Sequence, residues 1–135
     1  MSEIQAGEIR ALVIDDQRAM RSIVRQLLSQ IGIHDIQEAR NGEEALKIIN
    51  QPNEEDPDII ICDLHMDKMD GLEFCNQVRR DKEHDIPIII LTGESDEFLH
   101  EVSKQVGAVA VVMKPVSAPE LLVHIQTALG ITVSE

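Results

Sequence analysis

Five apolar runs alternate along the chain with five stretches of helical periodicity. Ala11–Ile14 is an apolar run that stops at Asp15-Asp16. Met20, Ile23, Val24, Leu27, Leu28 and Ile31 then recur at i, i+3, i+4 spacing, which predicts one buried stripe of an amphipathic helix ended by Gly32. His34–Arg40 is a weaker strand, with Ile36 and Ala39 among polar residues. Asn41 and Glu44 form a capping-box pair before a helix with Ala45, Leu46 and Ile49 inward. After a polar, proline-bearing loop (Asn50–Pro57), Ile59–Cys62 is a dense apolar strand ending at Asp63. Asp70 and Glu73 cap a third helix with Leu72, Cys75 and Val78 inward. Ile88–Leu91 is a fourth strand ending at Thr92. Ser95 is expected to begin a fourth helix, with Phe98, Leu99, Val102 and Val106 inward. Val109–Met113 is a fifth strand ending at Lys114-Pro115. Ser117 and Glu120 cap the last helix, lined by Leu121, Leu122, Ile125, Ala128 and Leu129 and stopped by Gly130.

Strands alternating with helices predict an α/β fold: a doubly wound, five-stranded parallel sheet with right-handed crossovers and helices on both faces. Four strands are apolar throughout, as strands buried on both faces should be. The second is half polar and belongs at an edge.

Composition adds little to this frame and excludes some functions. The 135 residues suit one domain. There is no Trp or Tyr and only two Phe, so the core must be aliphatic. The formal net charge of −13 disfavours nucleic acid, whose affinity for proteins comes largely from Lys and Arg on phosphates. No apolar run approaches the ~20 residues that span a bilayer. The two cysteines, Cys62 and Cys75, have no metal-ligand spacing, and Cys62 sits in an apolar run that suits the core. A cytoplasmic protein without membrane insertion is expected.

Sites in doubly wound sheets form at the carboxyl ends of the strands. Here those ends carry Asp15 and Asp16, Asp63, Thr92 and Lys114. Polar residues often simply terminate strands, but three acids on one rim repel. At ~5 Å and an effective dielectric of ~20 each ionised pair costs roughly 3 kcal/mol. A raised pKa or a bound cation must offset that. An oxygen-only donor set without a His or Cys cluster points to a hard cation, with Mg²⁺ fitting best. Asp63, alone at the end of the central strand, can attack phosphorus to give an acyl phosphate. The metal and Lys114 would neutralise charge on the phosphoryl oxygens, and Thr92 could donate its hydroxyl to them.

At these residues the chain resembles the receiver domains of two-component response regulators, and is most similar to the stand-alone chemotaxis-type (CheY-like) members. The resemblance rests on Val13-Ile14-Asp15-Asp16, on Asp63-Leu64-His65-Met66 running to Met69-Asp70-Gly71, on Leu91-Thr92-Gly93, and on Lys114-Pro115. It covers residues 9–130, leaving 1–8 as an N-terminal extension and 131–135 as a tail. It implies the flavodoxin-like receiver fold with strand order 2-1-3-4-5. It also implies Asp63 as phosphoacceptor, Asp16 on Mg²⁺ directly, Asp15 mainly through water, and the backbone carbonyl of His65 as a further ligand. Thr92 would be the switch hydroxyl, Lys114 the phosphate-binding lysine, Lys114-Pro115 a cis bond, and Gly71 the residue that permits a tight approach at the start of the third helix. Two positions depart from the family pattern. Asp67 stands where Pro is usual, and Val111 where Tyr or Phe is common, so the coupled movement of Thr92 with an aromatic ring is not available. His65 and Glu94 would flank the phosphoryl group and tune its hydrolysis, while His34, His84, His100 and His124 read as surface residues.

The implied function is a single-domain response regulator, phosphorylated by a sensor histidine kinase or histidine phosphotransfer protein. It would not be an enzyme beyond catalysing its own phosphorylation and dephosphorylation. Output would pass to a protein effector through the fourth helix, fifth strand and fifth helix, from a monomer or weak dimer. Chemotaxis is one of several pathways open to it. A phosphorylation-independent interaction domain on the same fold remains the alternative. A haloacid-dehalogenase-type hydrolase is disfavoured, because His65 occupies the place of its second acid.

Overall fold

A computed structural model of the chain describes residues 2–52, 55–66, 68–80 and 85–134. The central sheet holds β2 (Arg10–Ile14), β3 (Asp35–Ala39), β4 (Ile59–Asp63), β5 (Ile88–Thr92) and β6 (Ala110–Met113), all parallel, in the order β3-β2-β4-β5-β6. This is the expected 2-1-3-4-5 order, with each label raised by one because an additional strand, β1 (Ser2–Gln5), precedes them. The helices are α1 (Arg18–Ile31), α2 (Gly42–Ile49), α3 (Gly71–Arg80), α4 (Glu97–Gln105) and α5 (Ala118–Leu129).

Side chains alternate across a pleated sheet, and two cores follow from that. Leu12, Ile14, Ile60, Cys62, Ile88 and Ile90 face one way, onto Ala45 and Ile49 of α2 and Phe74, Cys75 and Val78 of α3. Ala11, Val13, Ile59, Ile61, Ile89 and Leu91 face the other, onto Val24, Leu28 and Ile31 of α1 and Leu121 and Ile125 of α5. Asn41 and Ser117 cap α2 and α5 by accepting from the backbone N–H groups of Glu44 and Glu120, as their spacing predicts. Gly32 and Gly130 end α1 and α5 in the left-handed conformation.

The structure departs from the sequence reading in four places. Asp96, not Ser95, caps α4, accepting from the N–H groups of Phe98 and Leu99. Leu99 and Val106 pack on the core as expected, but Phe98 is 76% exposed, and the buried member of α4 is Ser103, whose hydroxyl donates to the Leu99 carbonyl. On α3 the fully buried Phe74 completes a stripe of Gly71, Phe74, Cys75 and Val78 that the expected set lacked. Ile23, expected on the inner stripe of α1, is exposed. Finally, the two ends of the chain are structured: β1 pairs in parallel with β7 (Ile131–Ser134) as a separate two-stranded sheet. Its half-buried Ile4 and Val133 pack on the α1–α5 core, and the Gln126 side chain accepts from the Val133 N–H. Among the described residues no helix is long and apolar enough to cross a membrane.

Candidate phosphoacceptor and metal site

Parallel strands deliver all their carboxyl ends to one rim, and the register of this sheet sets what meets there. Asp63 closes β4 and pairs with Leu91; Thr92 closes β5 and pairs with Met113, so Lys114 follows one step beyond. The Lys114 N–H donates to the Thr92 carbonyl at 2.7 Å and the Leu64 N–H to the Leu91 carbonyl at 3.0 Å, which extends the ladder past the strand ends. Asp15 continues β2 in the same way, its N–H donating to the Ala39 carbonyl of β3.

The sheet thus brings together every residue that the strand ends nominated. One carboxylate oxygen each from Asp15, Asp16 and Asp63 lie within 4.8 Å of one another. Lys114 Nζ donates to Asp63 Oδ1 at 2.6 Å and stands 3.9 Å from Asp15 Oδ2. Thr92 is buried, and its hydroxyl accepts from the Glu94 N–H at 3.1 Å. Burial pushes the Asp15 carboxyl above its ordinary value. The Gln17 backbone N–H on Asp15 Oδ1 opposes that push, Asp63 adds to it, and Lys114 opposes it in turn. Burial likewise raises the thiols of Cys62 and Cys75, the latter to about 11, so both behave as core residues.

Among the described residues the clustered ligands are three carboxylates, a hard-oxygen donor set. They fit a divalent cation such as Mg²⁺, which binds through one or two carboxylates and keeps waters for a phosphate oxygen. The excess of negative charge over the Lys114 ammonium is what such an ion would offset.

Several local devices hold this rim. Gly71 is required by close approach: a Cβ there would lie 2.7 Å from the Asp63 carbonyl oxygen and 3.1 Å from Leu64 Cα. Its N–H donates to the Leu64 carbonyl. Lys114-Pro115 is cis. Across the mouth, His65 Nε2 meets Glu94 Oε1 at 2.6 Å, a pair the sequence names only as separate neighbours of the site. Both side chains are at least half exposed, so the contact itself contributes little to stability. His34 is exposed as expected, while His100 and His124 are half-buried; the His100 ring nitrogen Nε2 lies 2.9 Å from the Glu94 carbonyl. Asp67 and His84 lie outside the described residues. Sequence reasoning missed the Arg21 guanidinium, which donates to the Asp15 carbonyl at 2.7 Å. Its only advance signal is that Arg21 and Arg25 are one helical turn apart, off the apolar stripe of α1.

The doubly wound parallel sheet with an acid–lysine–hydroxyl rim defines the class of fold, and the comparisons with known proteins name the family. The model for the response regulator receiver domain matches residues 11–126, and the chain belongs to that family. Among curated relatives, the probable transcriptional regulator ycf27 of Porphyridium aerugineum is 40% identical over 120 residues, covering 89% of this chain and 48% of the relative. The alkaline phosphatase synthesis transcriptional regulatory protein PhoP of Bacillus subtilis is 33% identical over the same span, with the same coverage. The chain therefore spans about half the length of the curated relatives it matches. Among solved structures, chemotaxis protein CheY4 of Vibrio cholerae superposes with a TM-score of 0.79 at 31% identity, covering 90% of this chain and 98% of that one. A response regulator receiver domain protein from Clostridium thermocellum gives 0.79 at 29%, covering 90% and 94%.

Proposed function

We propose that the protein is a phosphorylation switch of a two-component phosphorelay, in which Asp63 takes a phosphoryl group from a phosphohistidine with the help of Mg²⁺. The observation that carries this reading is the convergence of Asp15, Asp16 and Asp63 around a lysine already bonded to Asp63. In the reaction a carboxylate oxygen of Asp63 forms a bond to phosphorus, the P–N bond of the donor breaks, and the imidazole leaves with its electron pair and takes up a proton. Mg²⁺, held by Asp15, Asp16, Asp63 and the His65 backbone carbonyl, would neutralise charge on the phosphoryl oxygens. Lys114 must release part of its bond to Asp63 to reach the new phosphate. Thr92 gives up its bond from the Glu94 N–H and turns its hydroxyl toward the added charge of about −1.5 to −2. The paired His65 and Glu94 at the mouth lie where attacking water must pass, and set the lifetime of the acyl phosphate.

The donor is a sensor histidine kinase or a histidine phosphotransfer protein, and the setting is cytoplasmic. Residues 9–130 form the receiver unit, flanked by segments 1–8 and 131–135. The protein turns over no separate substrate, catalysing only its own phosphorylation and dephosphorylation. Output goes to a protein effector through α4, β6 and α5, from a monomer or weak dimer. A hollow of ≈ 360 Å³ beside Val111, between Lys104 of α4 and His124 of α5, supports that face as a docking surface. The phosphorylation-independent reading has one observation in its favour: half-buried Val111 on edge strand β6 offers no ring to couple to Thr92.

The test is intact-mass measurement after incubation with Mg²⁺ and acetyl phosphate. An adduct of about 80 Da, the mass of one phosphoryl group carrying about −2 charge, should form only with Mg²⁺ and vanish in Asp63→Asn. Absence of an adduct with both acetyl phosphate and a cognate kinase would transfer support to the phosphorylation-independent domain.

A further inference from the structure

We propose that Arg21 is a positioning residue for the metal-binding turn, acting on the peptide bond that joins Asp15 to Asp16. The inference rests on the Mg²⁺ reading of the three carboxylates. Arg21 Nη1 donates to the Asp15 carbonyl at 2.7 Å, while its Nε donates to Glu38 Oε1 at 3.1 Å. Its side chain is 11% exposed, so the guanidinium is committed to these partners rather than to water. Glu38 stands on β3 directly before Ala39, whose carbonyl accepts the Asp15 N–H. Burial raises the Glu38 carboxyl, but the hydrogen bonds from Arg25 and then Arg21 outweigh that and hold it below its ordinary value, so the anchor stays charged.

The peptide unit is planar, so fixing its carbonyl oxygen fixes the plane and with it the direction in which the chain enters Asp16. Asp15 is then held at three atoms: its N–H by β3, its Oδ1 by the Gln17 N–H, and its carbonyl by Arg21. What remains free to meet a cation is the Oδ2 side, which faces Lys114. A rigid planar fork with several donors holds an acid on β3 and a carbonyl on the β2–α1 turn in a fixed geometry, which a flexible ammonium does less well. Arg25 shares Glu38 and donates to the Ile36 carbonyl, with no bond to the turn.

Charge and position predict opposite signs. A guanidinium near a cation site repels the ion, so a purely electrostatic role predicts tighter Mg²⁺ binding when Arg21 is lost. A positioning role predicts weaker binding, by roughly tenfold for the loss of a partner that orients a ligand. The experiment is isothermal calorimetry of Mg²⁺ into wild type, Arg21→Met, Arg21→Lys and Arg25→Met, with thermal melts in chelator as a check on folding. The expected result is about tenfold weaker binding in Arg21→Met, a smaller loss in Arg21→Lys, and wild-type or tighter binding in Arg25→Met. Unchanged or tighter binding in both Arg21 variants overturns the proposal, as does an equal loss in Arg25→Met. If Arg21→Met does not fold, the charge-conserving Arg21→Lys decides alone. A wild type that binds no Mg²⁺ removes the metal reading and this proposal together, whereas a wild type that binds beside unaffected Arg21 variants removes only the proposal.

Discussion

Replacing Asp15 by Asn should make the metal-free protein more stable. The carboxylate oxygens of Asp15, Asp16 and Asp63 lie within 4.8 Å, and at an effective dielectric of ~20 each such pair repels by about 3 kcal/mol. Lys114 Nζ, 3.9 Å from Asp15 Oδ2, returns an attraction of about 4 kcal/mol on the same basis. Two repulsions against one attraction, added to the cost of burying the charge, leave a net penalty. Screening on the half-exposed side of the rim reduces this to about 1–2 kcal/mol. Asn keeps the acceptor for the Gln17 N–H and sheds the charge. The folded-state pKa of Asp15 lies above its ordinary value of 3.8. Its penalty is therefore absent below that pH, where both states are protonated. It grows as pH rises through 3.8 to the folded-state value and is constant above. Thermal unfolding in chelator at pH 8 should place Asp15→Asn roughly 4–8 °C above wild type, at about 4 °C per kcal/mol for a domain of this size. The gap should close toward pH 3.5. Saturating Mg²⁺ should raise the melting temperature of wild type more than that of Asp15→Asn, because an ion that binds only the folded state stabilises it by mass action and the variant has lost one carboxylate of the site. An Asp15→Asn protein less stable than wild type at pH 8 in chelator would show instead that Lys114 and Gln17 outweigh burial and repulsion.

Two further predictions test the frame around the site. Gly71→Ala at an unstrained helical position would gain about 0.4–1 kcal/mol. Here the new Cβ meets backbone at 2.7 Å, so we expect a loss of about 1–3 kcal/mol in urea unfolding together with slower acetyl-phosphate labelling of Asp63; a stabilised variant would contradict the packing described. Deleting residues 1–5 should release β7, because an isolated strand pair is marginal and Ile4 packs beneath it. We expect a loss of about 1–2 kcal/mol from exposing the apolar surface under the clasp. Amide exchange at Val133 should accelerate, whereas unchanged protection there would mean that Gln126 alone holds β7.

The parts of the fold legible in the sequence are those that local physics decides. Short continuous apolar runs such as Ile59–Cys62 suit strands buried on both faces, and the half-polar Asp35–Ala39 indeed lies at an edge. Caps at Asn41, Asp70 and Ser117 each occur three residues before the N–H they accept. The site was legible for a further reason: parallel strands force their carboxyl ends to one rim, so Asp15, Asp63, Thr92 and Lys114 could be placed together without knowing a distance. Where two faces of a helix compete, periodicity was insufficient. On α4 the expected Leu99 and Val106 do pack on the core, but Phe98 lies outward and Ser103 is the buried member.

The order of elements, the sheet and the residues that share its carboxyl rim follow from runs of neighbouring residues and so can be read along the chain. The pairing of β1 with β7, the meeting of His65 with Glu94 and the bond from Arg21 to the Asp15 carbonyl arise only once the chain has folded. Those contacts join residues on different elements through single side chains or short polar strands. Nothing in local periodicity encodes them, since they form only after burial of the sheet has fixed where the rims and ends of the chain lie.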